Sequence, residues 1–197
     1  MPHQVRRESD ECIVDQMCET VLLRMKGMRV MKPITKVLFC ADLSSNSVYA
    51  FTYAVDFARR YDAELTVLHI VEEFPKSLTA MLHGLPDGES HVVVMKNSVK
   101  RTRDRLNIFC EREKKENPAC EGLHISVEVR EGYPADEILK AIDDIECDAV
   151  IMGTNSKGAV SHAFLGSVAE RVLRRTRNPV FIVPIPRDMK EEELTSI

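Results

Sequence analysis

The sequence predicts an α/β protein built on an open parallel sheet of five strands, with helices on both faces. One observation and one general rule carry this prediction. Short apolar runs of strand length alternate with amphipathic stretches of helical period after residue 32, and this alternation is typical of βαβ units. Right-handed crossovers between parallel strands then place helices on both sides of the sheet.

The composition is that of an ordinary globular chain. The 197 residues are 44% hydrophobic and 29% charged, with a formal net charge of −4. A mildly acidic chain lacks the basic field that general binding to nucleic acids requires. No apolar run approaches the roughly 18 residues of a membrane span, and no secretory leader is evident. We therefore expect a cytoplasmic protein without nucleic-acid or membrane partners.

The first 31 residues differ in character from the rest. Four residues recur there at helical spacing, which allows a short amphipathic helix over about 10–25: Val14, Met17, Val21 and Met25. This stretch reads equally as a helix that packs on a partner, as a frayed tail or as an upstream extension. We expect an N-terminal extension over 1–31, an α/β domain over 32–187 and a tail over 188–197.

The first half of the α/β pattern supplies two strands and a helix. Lys36–Cys40 (KVLFC) has the length of a buried strand, and Leu65–Val71 (LTVLHIV) is a second strand rich in β-branched residues. Between them Ser44 or Ser45 can cap a helix, because a serine oxygen accepts the unpaired amide protons of the first turn. The apolar face of that helix is Val48, Phe51, Val55 and Ala58. Residues 74–91 contain Pro75, Gly84, Pro86 and Gly88 and are expected to form a long loop or crossover.

The next two elements follow the same alternation. A second helix is expected to end before Pro118, with an apolar face of Met95, Val99, Leu106 and Phe109. The basic residues of this helix, from Lys96 to Arg105, are expected to form a solvated face. A third strand with one wetter face is expected where apolar residues alternate strictly with polar ones: Leu123, Ile125, Val127 and Val129.

The pattern closes with two helices and two strands. Pro134 opens a third helix at a favourable first-turn position, and its apolar side is Ile138, Leu139, Ile142 and Ile145. Ala149–Met152 (AVIM) and Val180–Val183 (VFIV) have the composition of the fourth and fifth strands. Between these strands a Gly/Ser loop over 153–164 precedes a fourth helix at Leu165–Thr176, which stops before Pro179.

The six cysteines are scattered along the chain. They are Cys12, Cys18, Cys40, Cys110, Cys120 and Cys147, and no C-x-x-C pair occurs among them. We expect unpaired thiols in a reducing compartment. Cys40 and Cys147 lie in or beside apolar runs, which indicates buried thiols that pack as small hydrophobes. His69 lies within an apolar strand and is expected to be a packed, hydrogen-bonded histidine.

Two strand ends carry residues suited to ligand binding. In an open parallel sheet, ligands bind beyond the carboxyl ends of the strands where the winding direction reverses. The first strand ends in Ala41-Asp42-Leu43-Ser44, and the fourth ends in Met152-Gly153-Thr154-Asn155-Ser156-Lys157-Gly158. If these strands are neighbours, both ends face one crevice.

The glycine-rich loop continues to the start of the fourth helix. Gly166 and Ser167 stand there, and a helix start offers unpaired N–H groups and a positive dipole end that suit phosphate. Lys157 and His162 add charge or hydrogen bonds, and Asp42 can accept hydrogen bonds from ribose hydroxyls. The alternative is a glycine-rich connection without a ligand, because the loop fits neither G-x-x-x-x-G-K-[ST] nor G-x-G-x-x-G.

Residues 32–186 resemble the universal stress protein family. The resemblance lies in KVLFCADLSSNS, LTVLHIVEE and DAVIMGTNSKGAVSHAFLGSVAERVLRRTRNPVFIVP. In the nucleotide-binding branch of that family a G-x2-G-x9-G-[ST] loop holds ATP. Here the pattern falls on Gly153, Ser156, Gly166 and Ser167, with serine at the second glycine. A positive φ at Ser156 would cost about 1 kcal/mol or more, whereas its hydroxyl can donate to phosphate.

The resemblance implies an adenine-nucleotide alpha hydrolase-like fold with strand order 3-2-1-4-5. It also implies ATP as the cofactor, alone or with Mg²⁺. In that case Asp42, beside Ala41, contacts ribose or adenine, and Ile70 contacts adenine through its backbone. Met152 and Gly153 would line the base and ribose. The phosphates would lie against Asn155, Ser156, Gly166, Ser167 and Val168.

The fifth strand is expected at an edge of the sheet, because Pro184 and Pro186 limit further pairing. An open apolar edge favours association, and the resemblance implies homodimers built through this strand. We therefore predict a two-fold dimer in which both copies of Val180–Val183 pair antiparallel.

Together these features predict a stress-response protein that binds ATP or a related adenine nucleotide and acts as a switch or as an interaction module for an unidentified protein partner. No nucleophile, base and orienting group come together in the sequence, so at most slow ATP hydrolysis is expected. Two alternatives stay open. One is a stress-response dimer that binds no nucleotide, and the other is a weak ATP hydrolase of the same fold.

Overall fold

The computed structural model describes residues 32–72, 91–154 and 165–184. Within these ranges the strands are β1 (Lys36–Cys40), β2 (Glu64–Glu72), β3 (Ile125–Gly132), β4 (Ala149–Gly153) and β5 (Val180–Val183). The helices are α1 (Ser45–Tyr61), α2 (His91–Glu116), a 3-10 turn (Pro118–Cys120), α3 (Pro134–Ile145) and α4 (Ser167–Arg175).

The described strands form one sheet in the order β3-β2-β1-β4-β5, and every neighbouring pair is parallel. The predicted fold class and strand order are therefore confirmed. The strand β1 lies at the centre of the sheet, between β2 and β4. The chain thus winds one way from β1 to β3 and the other way from β4 to β5, which makes β1 and β4 the point where the winding direction reverses.

The first βα unit follows its sequence pattern closely. The strand β1 has the predicted bounds, and Ser44 is the N-cap of α1, with its Oγ accepting from the backbone N–H of Ser47 at 3.3 Å. Three of the four predicted face residues, Phe51, Val55 and Ala58, are fully buried. Val48 is half-buried against the same cluster.

The second helix and the third strand differ from the prediction at one boundary. The helix α2 ends at Glu116, before Pro118, as predicted. Its basic residues from Lys96 to Arg105 are exposed, which agrees with the predicted solvated face. Leu123, predicted to open the third strand, precedes it, because β3 begins at Ile125.

The last two helices show how a cap sets a boundary. Pro134 occupies the first turn of α3 as predicted. The helix α4 is shorter than the predicted Leu165–Thr176 at both ends, because Gly166 is its N-cap and Thr176 its C-cap. The strand β5 has the predicted bounds and, among the described strands, lies at one edge of the sheet.

Apolar residues cover both faces of the sheet, as the two-sided winding requires. One cluster contains Phe39, Phe51 and Leu65, and the other contains Leu38 and Ile142. Successive residues of β1 point to opposite faces, so Leu38 and Phe39 fall into different clusters. Burying each of these large side chains contributes roughly 1.5–3 kcal/mol.

The described cysteines are thiols and form no disulfide with one another. Cys147 is buried as predicted, whereas Cys40 is only half-buried. Burial raises the pKa of the Cys40 thiol and raises that of Cys110 to about 12. Both thiols are therefore protonated at neutral pH and are poor nucleophiles.

Some predictions concern parts of the chain outside the described residues. These are the extension 1–31 with its helix, nearly all of the loop at 74–91, the glycine-rich loop from Asn155 to 164, and the tail 188–197. By its contacts the chain divides into two units, Met1–Pro33 and Ile34–Ile197. None of the described helices is long and apolar enough to cross a membrane.

A buried carboxylate joins the starts of the two central strands. Asp148 directly precedes β4 and is only 8% exposed. Its Oδ2 accepts from the Thr35 N–H at 2.8 Å, the Thr35 hydroxyl at 2.9 Å and the Lys36 N–H at 3.0 Å. In addition, the Asp148 N–H donates to the Lys36 carbonyl at 2.8 Å. This side chain therefore sets the register of β1 against β4.

Replacing this carboxylate should weaken the fold. We expect Asp148→Ala to lower the free energy of unfolding by about 2–4 kcal/mol, because it removes three hydrogen bonds to one buried carboxylate. Asp144→Ala is the matched control, because Asp144 is exposed and its 2.8 Å ion pair with Arg130 lies at the surface. The control should cost about 1 kcal/mol or less. Urea unfolding measures both, and equal losses would contradict the assigned role of Asp148.

Candidate functional site

A cleft opens beyond the carboxyl ends of β1 and β4, where the winding direction reverses. Its volume is about 730 Å³, within the range of roughly 300–1,000 Å³ typical of small-molecule sites. The described residues that line it come from the ends of β1, β2 and β4, from α2 and α3, and from the start of α4. The cleft therefore lies where an open parallel sheet binds its ligands.

The turn from β1 into α1 forms one wall of the cleft. Asp42 Oδ1 accepts from the N–H of Ser44 at 3.0 Å and from its hydroxyl at 2.5 Å. The N–H of Asp42 donates to the buried Oγ of Ser47 at 3.1 Å. Between these bonds Leu43 adopts φ 63°, a left-handed conformation that costs a leucine about 1–2 kcal/mol. Side-chain hydrogen bonds thus hold a strained turn in place.

A histidine supports the same turn from the neighbouring strand. His69, near the end of β2, has its Nδ1 2.7 Å from the carbonyl oxygen of Ala41. Its side chain is half-buried and lines the cleft. Burial lowers the pKa of His69 below its ordinary value. The prediction of a hydrogen-bonded histidine is confirmed, and the same side chain also lies in the cleft wall.

The start of α4 forms the opposite wall. Gly166 is the N-cap of α4 and has no side chain that could accept a hydrogen bond. It therefore provides no side-chain acceptor for the first-turn N–H groups of Ser167, Val168 and Ala169. These amides and the positive end of the helix dipole favour an anion. Gly153, at the end of β4, has room for a side chain, because a Cβ there would stand 3.6 Å from that of Ala50. Packing against the described residues therefore does not require glycine at this position.

The structure brings together the predicted site residues that it describes. The predicted site residues that line the cleft are Ala41, Asp42, Ile70, Met152, Gly153, Gly166, Ser167 and Val168. Asn155 and Ser156, together with Lys157 and His162, lie outside the described residues. The condition that both strand ends face one crevice is met, because β1 and β4 pair directly.

Sequence reasoning missed several lining residues. His69, Glu72, Thr102 and Ile138 also line the cleft. Glu72 ends β2, so the rule that ligands lie beyond strand ends could have found it. Thr102 and Ile138 lie within helices, and only the packing of those helices brings them to the cleft. Among the described residues no cluster of His, Cys, Asp or Glu could hold a metal ion.

An open parallel sheet with a cleft at its reversal point defines a class of ligand-binding α/β proteins. Within that class, the model of the universal stress protein family matches residues 33–184. The chain is 30% identical to the universal stress protein MJ0531 of Methanocaldococcus jannaschii over 154 residues, 77% of this chain and 83% of that one. It is also 30% identical to the universal stress protein YxiE of Bacillus subtilis over 149 residues, 75% of this chain and 97% of that one.

The fold has a solved counterpart. The structure of MJ0577 from Methanocaldococcus jannaschii superposes with a TM-score of 0.58 at 22% identity, covering 80% of this chain and 100% of that chain. The chain belongs to the universal stress protein family, as its sequence resemblance predicted.

The turn beside the cleft should depend on Ser47. We expect Ser47→Ala to lower the free energy of unfolding by about 1–2 kcal/mol, because the Asp42 N–H loses the acceptor that the buried Ser47 hydroxyl supplies. Thr52→Ala in the same helix is the control, since its hydroxyl donates to the Tyr49 carbonyl at the surface, and it should change stability by less than about 0.5 kcal/mol. Thermal unfolding of both variants distinguishes the two, and a Ser47 variant as stable as the control would contradict this role.

Proposed function

We propose that the protein binds an adenine nucleotide, ATP in the first instance, in the cleft between the β1–α1 turn and the start of α4. One observation carries the proposal: Asp42 and Gly166, 124 positions apart in the chain, line the same cavity at the reversal point of the sheet. The family resemblance assigns these two positions to the sugar or base and to the phosphates. Their meeting in one cleft is what such a ligand requires.

The two walls differ in the hydrogen bonds that they offer. On the strand side, the carboxylates of Asp42 and Glu72 are acceptors, which suit hydroxyl and amino groups. On the helix side, the amides at the start of α4 and the hydroxyl of Ser167 are donors, which suit phosphate oxygens. This polarity matches a nucleotide, whose base and ribose carry donors and whose phosphates carry acceptors and negative charge.

Within this proposal, Ala41, Ile70, Met152 and Gly153 form the wall between the two ends. Ile70 is 8% exposed and Met152 is 5% exposed, so their side chains are mostly occupied by packing. Their backbone atoms at the strand ends, together with the small residues Ala41 and Gly153, leave room for a base and a ribose. Asn155 and Ser156 are proposed to complete the phosphate site on the strength of the resemblance alone.

Removing the Asp42 carboxylate tests the proposal. Isothermal titration with Mg-ATP should give micromolar or tighter binding to the wild type and about ten- to a hundredfold weaker binding to Asp42→Ala, since hydrogen bonds to a charged group contribute about 1.5–3 kcal/mol. Asp42→Asn removes the charge but keeps an oxygen that can accept from Ser44. Comparing it with Asp42→Ala therefore separates the effect of the lost charge from the effect of a disrupted turn. Asp56→Ala, an exposed carboxylate paired with Arg60 on α1, is the matched control.

The titration has clear outcomes. Binding that is lost in Asp42→Ala and kept in Asp56→Ala supports the proposed site. Absence of heat with the wild type would favour the alternative of a stress-response protein without a nucleotide. Equal affinity of the wild type and Asp42→Ala for Mg-ATP would mean that the nucleotide binds at another site.

We also propose that two copies associate through β5. The carbonyls of Pro179 and Val183 accept from the N–H of Val150 in β4 at 2.9 Å and from that of Thr154, directly after β4, at 3.0 Å. Because alternate residues of a strand point their backbone groups to opposite sides, those of Val180 and Ile182 point to the open edge. This row of donors and acceptors can pair with its own copy about a two-fold axis.

An aromatic surface beside that edge supports the same association. Phe181 is 44% exposed, and its ring centroid lies 6.4 Å from that of Tyr53 and 6.1 Å from that of Phe57. Tyr53 is itself 41% exposed. Burying rings of this size is a large favourable contribution to an interface.

A charge at this edge should separate the subunits. We expect the wild type to elute as a dimer in light-scattering chromatography and Phe181→Lys to shift toward the monomer, because two lysines would meet at the two-fold axis. Ile108→Lys is the matched control, since Ile108 is 71% exposed on α2 and that helix packs mainly against β3 at the opposite edge. A monomeric wild type, or a dimer unchanged by Phe181→Lys, would contradict the proposed interface.

A further inference from the structure

The hydrogen bond of His69 determines the chemistry of its ring. A carbonyl oxygen can only accept, so the Nδ1 atom that lies 2.7 Å from the Ala41 carbonyl must carry the proton. In a neutral imidazole the second nitrogen, Nε2, is then an acceptor. Within the described part of the chain Nε2 has no hydrogen-bond partner, although His69 is one of the residues that line the cleft and its ring is bonded to Ala41, another of them.

The surroundings favour the neutral ring. Burial has the largest effect and lowers the pKa of His69. The charged groups that face the ring come from three elements: Asp42 after β1, Glu72 in β2 and Arg105 in α2. The two carboxylates and the Ala41 carbonyl favour the protonated form, whereas Arg105 opposes it, and burial outweighs the difference. At pH 7.5 the Nε2 lone pair is therefore available.

We propose that His69 is a specificity-determining residue of the cleft, and that its Nε2 accepts a hydrogen bond from an uncharged N–H or O–H group of the bound nucleotide. This inference rests on the adenine-nucleotide binding proposed above and adds a side-chain contact from β2 to the backbone contact of Ile70 that the resemblance implies. ATP has two sources of such a donor, the 6-amino group of adenine and the hydroxyls of the ribose. Phosphate oxygens cannot supply it near neutral pH.

The same acceptor orients the ligand. Together with the carboxylates of Asp42 and Glu72, which act electrostatically on His69, an Nε2 lone pair gives the strand side of the cleft three acceptors, which disfavours a triphosphate there. The phosphates are therefore directed to the amides of α4. Protonation of His69 turns Nε2 into a donor and removes this preference, so affinity for the base and ribose end should fall as the pH drops through the pKa of His69, which burial places below its ordinary value of about 6.5.

Two variants test the roles of the two ring nitrogens of His69 separately. His69→Asn keeps an amide donor near the position of Nδ1, for the Ala41 carbonyl, and removes the acceptor at Nε2. His69→Gln places an amide oxygen near the position of Nε2 and does not titrate. Each protein is titrated calorimetrically at pH 7.5 and pH 5.5 with ATP, with purine riboside triphosphate, which lacks the 6-amino group, and with 2′-deoxy and 3′-deoxy ATP. Circular dichroism melts establish that both variants are folded.

We expect the wild type to prefer ATP over one of the three analogues by about three- to tenfold at pH 7.5, the range of a single neutral hydrogen bond. His69→Asn should lose that preference and His69→Gln should keep it. The analogue that shows the effect identifies the donor as the amine or as a hydroxyl. Relative to both variants, the wild type should show an additional loss of ATP affinity between pH 7.5 and pH 5.5.

The outcomes separate this inference from the proposed function. If the wild type binds ATP but His69→Asn keeps the same preferences and pH dependence, the role of His69 is overturned and nucleotide binding stands. If the wild type binds none of the four nucleotides, both are overturned. A ligand-independent check is the tautomer itself, because long-range ¹H–¹⁵N spectra of the unliganded protein should show a protonated Nδ1 and a bare Nε2.

Discussion

The direct parallel pairing of β1 with β4 is the constraint on which the rest of the structure depends. The register runs from Val37 opposite Ala149 to Cys40 opposite Met152, and the carboxylate of Asp148 fixes its start through the backbone of Thr35 and Lys36. Since β2 lies on the other side of β1, the chain must leave β1 and β4 in opposite directions. The connections diverge above these two strands, and the cleft is the space that they leave.

Much of this architecture could be predicted from the sequence because its strands are short, apolar and separated by clear turn signals. The bounds of β1 and β5 follow directly from KVLFC and VFIV. The start of α4 could not be predicted in this way. Leu165 is apolar and extends the helical pattern toward the N-terminus, whereas the helix itself begins only after Gly166. Leu123 was misplaced for a similar reason: alternation identifies a strand but does not say where its hydrogen bonds begin.

The residues of the candidate site could be predicted only where their position in the sequence, at the end of a strand or the start of a helix, makes them conspicuous. Asp42 and Gly166 stand at element ends, where a carboxylate or a glycine is conspicuous, and the family resemblance assigned them roles. His69 was correctly expected to be hydrogen-bonded, yet its partner, Ala41, lies 28 residues away in the chain. Periodicity places His69 inside an apolar strand and gives no sign that its ring reaches the cleft. That information exists only once β2 is paired with β1.

The turn after β1 is a wall of the cleft that hydrogen bonds within the fold hold in place. Leu43 adopts a conformation that is unfavourable for a leucine, and the turn persists because Ser47, Ser44 and His69 each bond to it from a different direction. Such strain is retained where surrounding structure over-determines it. A wall that is already ordered saves a ligand the entropy of ordering it. The order of this wall therefore depends on the sheet, because β1 and β2 must be paired before His69 can reach the Ala41 carbonyl.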